Sequence, residues 1–162
     1  MALQETDPLA PGQRLPEISL WAPDGSRVRV GDYYDRSNLV LLCVGSNRIA
    51  CLEILLTEMA SDLAAFKAEN AKILLILAGT QAQAGSAQNW MNLPFQILAD
   101  PDGDAQRRLG VSKAGGPMGA AVCVADRFGE VVFSWRDGQG HPQPASSDLL
   151  ACLRSTEQQC PE

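Results

Sequence analysis

Two neighbouring stretches decide the fold: Leu39-Val-Leu-Leu-Cys-Val44 and Cys51-Leu-Glu-Ile-Leu-Leu-Thr-Glu-Met59. The first is a continuous apolar run, the pattern of a β-strand buried on both faces. In the second the period changes. Leu52, Leu55, Leu56, Met59, Leu63 and Phe66 recur at intervals of three or four, which predicts an amphipathic helix over residues 51–69. Ile73-Leu-Leu-Ile-Leu77 is a second buried strand. Cys51 therefore opens the helix that joins two buried strands.

Outward from this unit, Ile18-Ser-Leu-Trp21 and Arg27-Val-Arg-Val30 are short alternating segments. Pro23-Asp24-Gly25 joins them as a hairpin turn. Asp32-Tyr-Tyr34 starts a helical turn. A Gln/Ala-rich stretch is read as helical around Ala87–Asn92, and Phe95–Ala99 as a strand. Asp100-Pro-Asp-Gly103 then hands over to a short helix ending at Leu109. Ala121–Ala125 and Val131–Trp135 form a hairpin around Asp126-Arg-Phe-Gly129. A last helix is expected after Ser146 or Ser147, either of which suits an N-cap, with Leu149, Leu150 and Leu153 on one face. The order ββ-β-α-β-α-β-α-ββ-α describes an α/β protein, with a central mixed sheet covered by helices on both faces. The domain reading is a leader at 1–13, one domain over 14–158 and a tail at 159–162.

The chain has 162 residues and a formal charge of −6, with the acidic excess spread over both halves. An extended phosphate-tracking surface is therefore excluded, and no nucleic-acid partner is expected. No apolar run approaches the ~18 residues of a membrane span. The first seven residues have neither a basic nor an apolar leader region, so no signal peptide is expected and the cytoplasm is the expected compartment. The five cysteines show no C-x-x-C spacing, and His141 is the one histidine. Zinc and haem sites are not expected, and no cofactor is assigned. The chemistry on offer is that of a thiol.

Several segments resemble the peroxiredoxin branch of the thioredoxin superfamily, the alkyl hydroperoxide reductase/thiol-specific antioxidant proteins. They are Pro11-Gly12…Leu15-Pro16, a cysteine opening a helix at Cys51, Leu93-Pro-Phe-Gln-Ile-Leu-Ala-Asp-Pro-Asp-Gly103, Leu109-Gly-Val111 and Cys123-Val-Ala-Asp-Arg-Phe-Gly129. The resemblance covers roughly residues 11–136 and implies a thioredoxin-like fold. It also implies a hydroperoxide substrate and a thiol reductant, either a thioredoxin-like protein or a small thiol, with a homodimer as one candidate assembly. Cys51 becomes the candidate peroxidatic nucleophile. A helix N-terminus favours an anionic sulfur, and Arg48 is a candidate stabiliser of thiolate or peroxide. Cys160, in the tail, is the candidate resolving thiol.

The chain departs from the family's Pro-x-x-x-Thr-x-x-Cys pattern. Counting back from Cys51, Val44 stands at the proline and Arg48 at the threonine; with one inserted residue Asn47 takes the latter place. Gly119-Ala120 occupies the region where the family places an arginine, and Arg127 and Arg136 read as solvated surface charges. Cys43 and Cys123 read as buried and inert, Cys152 as a core residue, and His141 as a structural or surface residue in a loop. Two functions remain open: a slow thiol-dependent peroxidase, or a catalytically degenerate redoxin module that senses oxidants or binds a partner.

Overall fold

The computed structural model describes residues 10–45, 48–109, 120–138 and 140–159. Seven strands, β1 (Ser19–Trp21), β2 (Arg27–Arg29), β3 (Asn38–Gly45), β4 (Ala71–Ala78), β5 (Gln96–Ala99), β6 (Ala121–Ala125) and β7 (Val131–Arg136), form one sheet. Its order is β2-β1-β5-β4-β3-β6-β7. Strands β3, β4 and β5 pair in parallel, and both margins are antiparallel. Every residue of β3 is buried, as its unbroken apolar run requires.

Alternation along β3 divides the core into two layers. Val40, Leu42 and Val44 face one side, packed with Leu55, Met59 and Leu149. Leu39, Leu41 and Cys43 face the other, packed with Ile18, Leu20 and Leu109. The helices are α1 (Glu53–Ser61), α2 (Leu63–Ala68), α3 (Gln81–Met91), α4 (Asp104–Arg108) and α5 (Ser146–Gln159). No helix among the described residues is long and apolar enough to cross a membrane. Gly12 and Gln13 exchange backbone hydrogen bonds with Val131, which ties this part of the amino-terminal segment to the β6–β7 hairpin.

Three helix boundaries differ from the sequence reading. The helix expected over 51–69 is a 3-10 turn, Ile49–Leu52, followed by α1 and α2, which meet at Asp62. The apolar face runs through all three pieces, so its period does not reveal the joints. Helix α3 starts well before Ala87. Thr80 and Gln83 form a reciprocal capping box, the Thr80 hydroxyl accepting from the Gln83 N–H and the Gln83 side chain from the Thr80 N–H. Neither Ser146 nor Ser147 caps α5. Ser146 is its first residue, and Asp148 reaches back to accept from the Ala145 N–H at 2.8 Å.

Gly129 is required by its turn. Its φ is +83°, and an added Cβ would lie 2.8 Å from a ring carbon of Tyr34. Asp126 Oδ1 accepts from the N–H groups of Phe128 and Glu130 and fixes the same turn.

Candidate functional site

The site starts where β3 runs out. The Arg48 N–H donates to the Gly45 carbonyl at 2.9 Å, and the Cys51 N–H donates to the Arg48 carbonyl at 2.9 Å. These two bonds wind the chain into the 3-10 turn. Leu52 plugs into the core at 0% exposure, which leaves Cys51 on the outer side of the turn, exposed. Cys51 thus precedes α1, whose own first turn carries Glu53. Arg48 is exposed and caps the 3-10 turn through its backbone.

Helix α1 forms one wall of a groove of about 280 Å³ that contains Cys51. Ile54, Leu55 and Glu58 continue that wall, and Gln143-Pro144-Ala145 form the other. Ile54 is 77% exposed, an apolar surface beside the thiol. Two carboxylates hold the walls together. Glu58 Oε1 accepts from the Ser146 N–H at 3.1 Å, and Asp62 Oδ2 accepts from the Ser146 hydroxyl at 2.7 Å. Both sit at the N-terminus of α5, where unpaired N–H groups and the helix dipole favour negative charge. Among the described residues no hydroxyl side chain lines this groove.

Behind the turn, the buried Gln106 side chain ties the sheet's end together. Its Nε2 donates to the carbonyls of Val44 at 3.0 Å and Ile76 at 3.3 Å. Asp100, also buried, accepts from the N–H groups of Ala105 and Gln106 and so organises the start of α4. Burial pushes the Asp100 carboxyl up from its ordinary range, against the lowering by those two bonds.

The four described cysteines are all free thiols, in different settings. Cys43 is buried, and burial, reinforced by Cys123 and Asp100, pushes its thiol well above the usual range. Burial pushes Cys123 up to about 12. Cys152 is half-buried against the core and is also raised by burial, in part offset by the Thr156 hydroxyl. Cys51 is the exposed one. Cys160, Asn47 and Gly119 lie outside the described residues.

The structure corrects the reading of the two arginines as solvated surface charges: both are half-buried. Arg136 pairs with Ala121, which in turn neighbours Cys43, so it lies at the end of the sheet from which the Cys51 turn departs. Arg127 follows β6 past the opposite end, stacked over Phe128 at 5.6 Å. His141 is exposed in a loop, and its carbonyl accepts from Trp135 Nε1 at 3.0 Å. Sequence reasoning missed Glu58, Gln143 and Pro144. Glu58 stands two helical turns after Cys51, a legible spacing. Gln143 and Pro144 are brought in only by the docking of α5.

The mixed sheet with flanking helices is a thioredoxin-like fold. The AhpC/TSA family model matches residues 11–134. The chain belongs to that family, a redoxin branch of the thioredoxin superfamily. The fold is similar to that of peroxidoxin BcpB from Mycobacterium tuberculosis, at 17% identity and a TM-score of 0.76, covering 90% of this chain and 96% of that one. It is also similar to reduced Prx3 from Vibrio vulnificus, solved in complex with hydrogen peroxide (19%, TM-score 0.74, covering 90% and 99%). A putative thiol:disulfide interchange protein DsbE from Chlorobium tepidum is similar as well (22%, TM-score 0.71, covering 90% and 99%). No curated protein matches the sequence significantly.

Proposed function

We propose that the protein is a thiol-dependent peroxidase that reduces hydroperoxides through Cys51. The observation that carries this reading is the exposure of Cys51 in a groove, while the other described cysteines are buried or half-buried. In the reaction the Cys51 thiolate attacks the terminal peroxide oxygen. An S–O bond forms, the O–O bond breaks, and the alkoxide leaves as an alcohol once protonated. The sulfur is oxidised to a sulfenic acid and the peroxide is reduced. A reductant thiol then attacks that sulfur, water leaves and a disulfide forms. Cys160 is the proposed internal source of this thiol, and a thioredoxin-like protein or small thiol the external one.

Arg48 supplies positive charge at the turn, and Glu53 and Glu58 supply negative charge beside it. Among the described residues of the groove none carries a hydroxyl, and a site without one such preorganised donor to the peroxide typically loses ~10²–10³ in rate. Slow turnover is the expected outcome. The same absence favours the second reading, a redoxin module that senses oxidants or binds a partner, and the likeness to a DsbE fold is compatible with it. A cytoplasmic location and a single domain bounded by a leader and tail belong to both readings.

The test is the rate of Cys51 oxidation by hydrogen peroxide, measured against free cysteine, together with peroxide consumption under a thiol reductant. The peroxidase reading expects oxidation faster than that of free cysteine and sustained consumption that Cys51→Ser abolishes. Oxidation no faster than free cysteine, without consumption, supports the second reading instead.

A further inference from the structure

We infer that Glu58 makes the Cys51 groove charge-selective, favouring uncharged apolar hydroperoxides and disfavouring those that carry a carboxylate. The inference rests on the peroxidase reading for its substrate and narrows that substrate's class. Three observations support it. Glu58 and Cys51 line the same groove, and the apolar part of that wall is Ile54 and Leu55. The Glu58 carboxylate is held in place, because Oε1 accepts the Ser146 N–H at the start of α5. Arg48, the cation nearest in sequence, is not among the groove's lining residues, while Asp62 and Asp148 add further negative charge at the same helix end.

An approaching molecule thus meets an apolar wall and a fixed anion. An alkyl chain can rest on the exposed Ile54, whereas a carboxylate brought to the sulfur comes under the repulsion of Glu58. Through a largely aqueous groove, like charges several ångströms apart change a rate by about two- to fourfold, an effect that salt screens. This is a modest preference set by one side chain.

Alkylation reads the charge effect without any peroxidase step. In iodoacetamide and iodoacetate alike, the Cys51 sulfur displaces iodide, forming an S–C bond as the C–I bond breaks. The two reagents differ in charge. Their rates at Cys51 are read by peptide mapping of the full chain, and the ratio is normalised to a free thiol. The expected native ratio favours iodoacetamide by about two- to fourfold over the free-thiol ratio, and 0.5 M salt removes most of that excess. Glu58→Gln keeps an oxygen acceptor for the Ser146 N–H and should bring the ratio down to the free-thiol value.

A native ratio equal to that of the free thiol, or one unchanged in Glu58→Gln, overturns the inference. If that variant does not fold, the salt dependence of the native ratio decides. A second arm compares linoleic acid hydroperoxide with its methyl ester, the ester expected to oxidise Cys51 faster in the native protein and the difference to shrink in Glu58→Gln. Selectivity in alkylation without turnover of either hydroperoxide removes the peroxidase reading and leaves the charge-selective groove standing. Turnover with no charge preference does the reverse.

Discussion

Cys43 and Cys51 lie eight residues apart in sequence and in opposite physical settings. Cys43 belongs to the interior of the sheet, flanked by β4 and β6 and buried in the apolar layer that also holds Ala105 and Leu109. Cys51 belongs to a single 3-10 turn fastened by local backbone bonds and open to solvent. The first region is built from nonlocal pairing, so exposing it requires undoing the sheet. The second needs no unfolding to be reached. The contrast shows that access and charge environment, not the number of thiols, divide inert from usable sulfur.

The largest expected effect is kinetic. In the native protein a neutral alkylating agent should modify Cys51 at least ~10³-fold faster than Cys43 or Cys123, since the buried pair must wait for opening against much of the folding free energy. Mass-spectrometric mapping at short times checks this ratio. Comparable rates would erase the distinction between the two regions.

The next effect is on stability at high pH. The Cys123 thiol moves from its ordinary 9.0 to about 12 on folding. Between those values the unfolded chain has lost a proton that the native state keeps, so stability falls as pH rises. One unit corresponds to about 1.4 kcal/mol, and the full loss from this thiol approaches about 4 kcal/mol near pH 12. Cys43 is shifted in the same direction and adds to it. Denaturant titrations at pH 8 and pH 11 should show the decline, and Cys123→Ala should reduce its slope while costing some stability at both.

Smaller effects sharpen the comparison at the loops. Gly129→Ala forces a side chain into a positive-φ position and against Tyr34. A cost of about 2–3 kcal/mol in equilibrium unfolding is expected, with alkylation of Cys51 unaffected. Ser146→Ala removes the hydroxyl bonded to Asp62 and should cost about 1 kcal/mol. Because Ser146 anchors the second wall of the groove, Cys51 alkylation should change in this variant and not in Gly129→Ala.

The core was legible because its signals are local. Leu39–Val44 and Ile73–Leu77 have no polar interruption, and the three/four period after Cys51 marks the covering helix even where Asp62 divides it. Thr80-Gln-Ala-Gln83 also held a local signal, a capping box with Gln at its third position, which the reading of that segment from Ala87 passed over. The site was legible only on one side. The position of Cys51 just after β3 follows from the change of period, whereas Glu58 had a legible helical spacing that the sequence reading passed over. Gln143 and Pro144 are more than ninety residues away, and their approach depends on Ser146 meeting Glu58 and Asp62. Gln106 was silent for the same reason: a polar residue in a short helix gives no sign in sequence that its amide bridges β3 and β4.

The central claim is that Cys51 is the oxidant-reactive sulfur of this fold. Peptide mapping of all five cysteines, after one equivalent of hydrogen peroxide and sulfenic-acid trapping, tests it most directly. A trapped sulfenic acid at Cys51, or a disulfide that includes Cys51, is expected before any change at Cys43, Cys123 or Cys152. First oxidation at any of those three, with Cys51 still reduced, contradicts it.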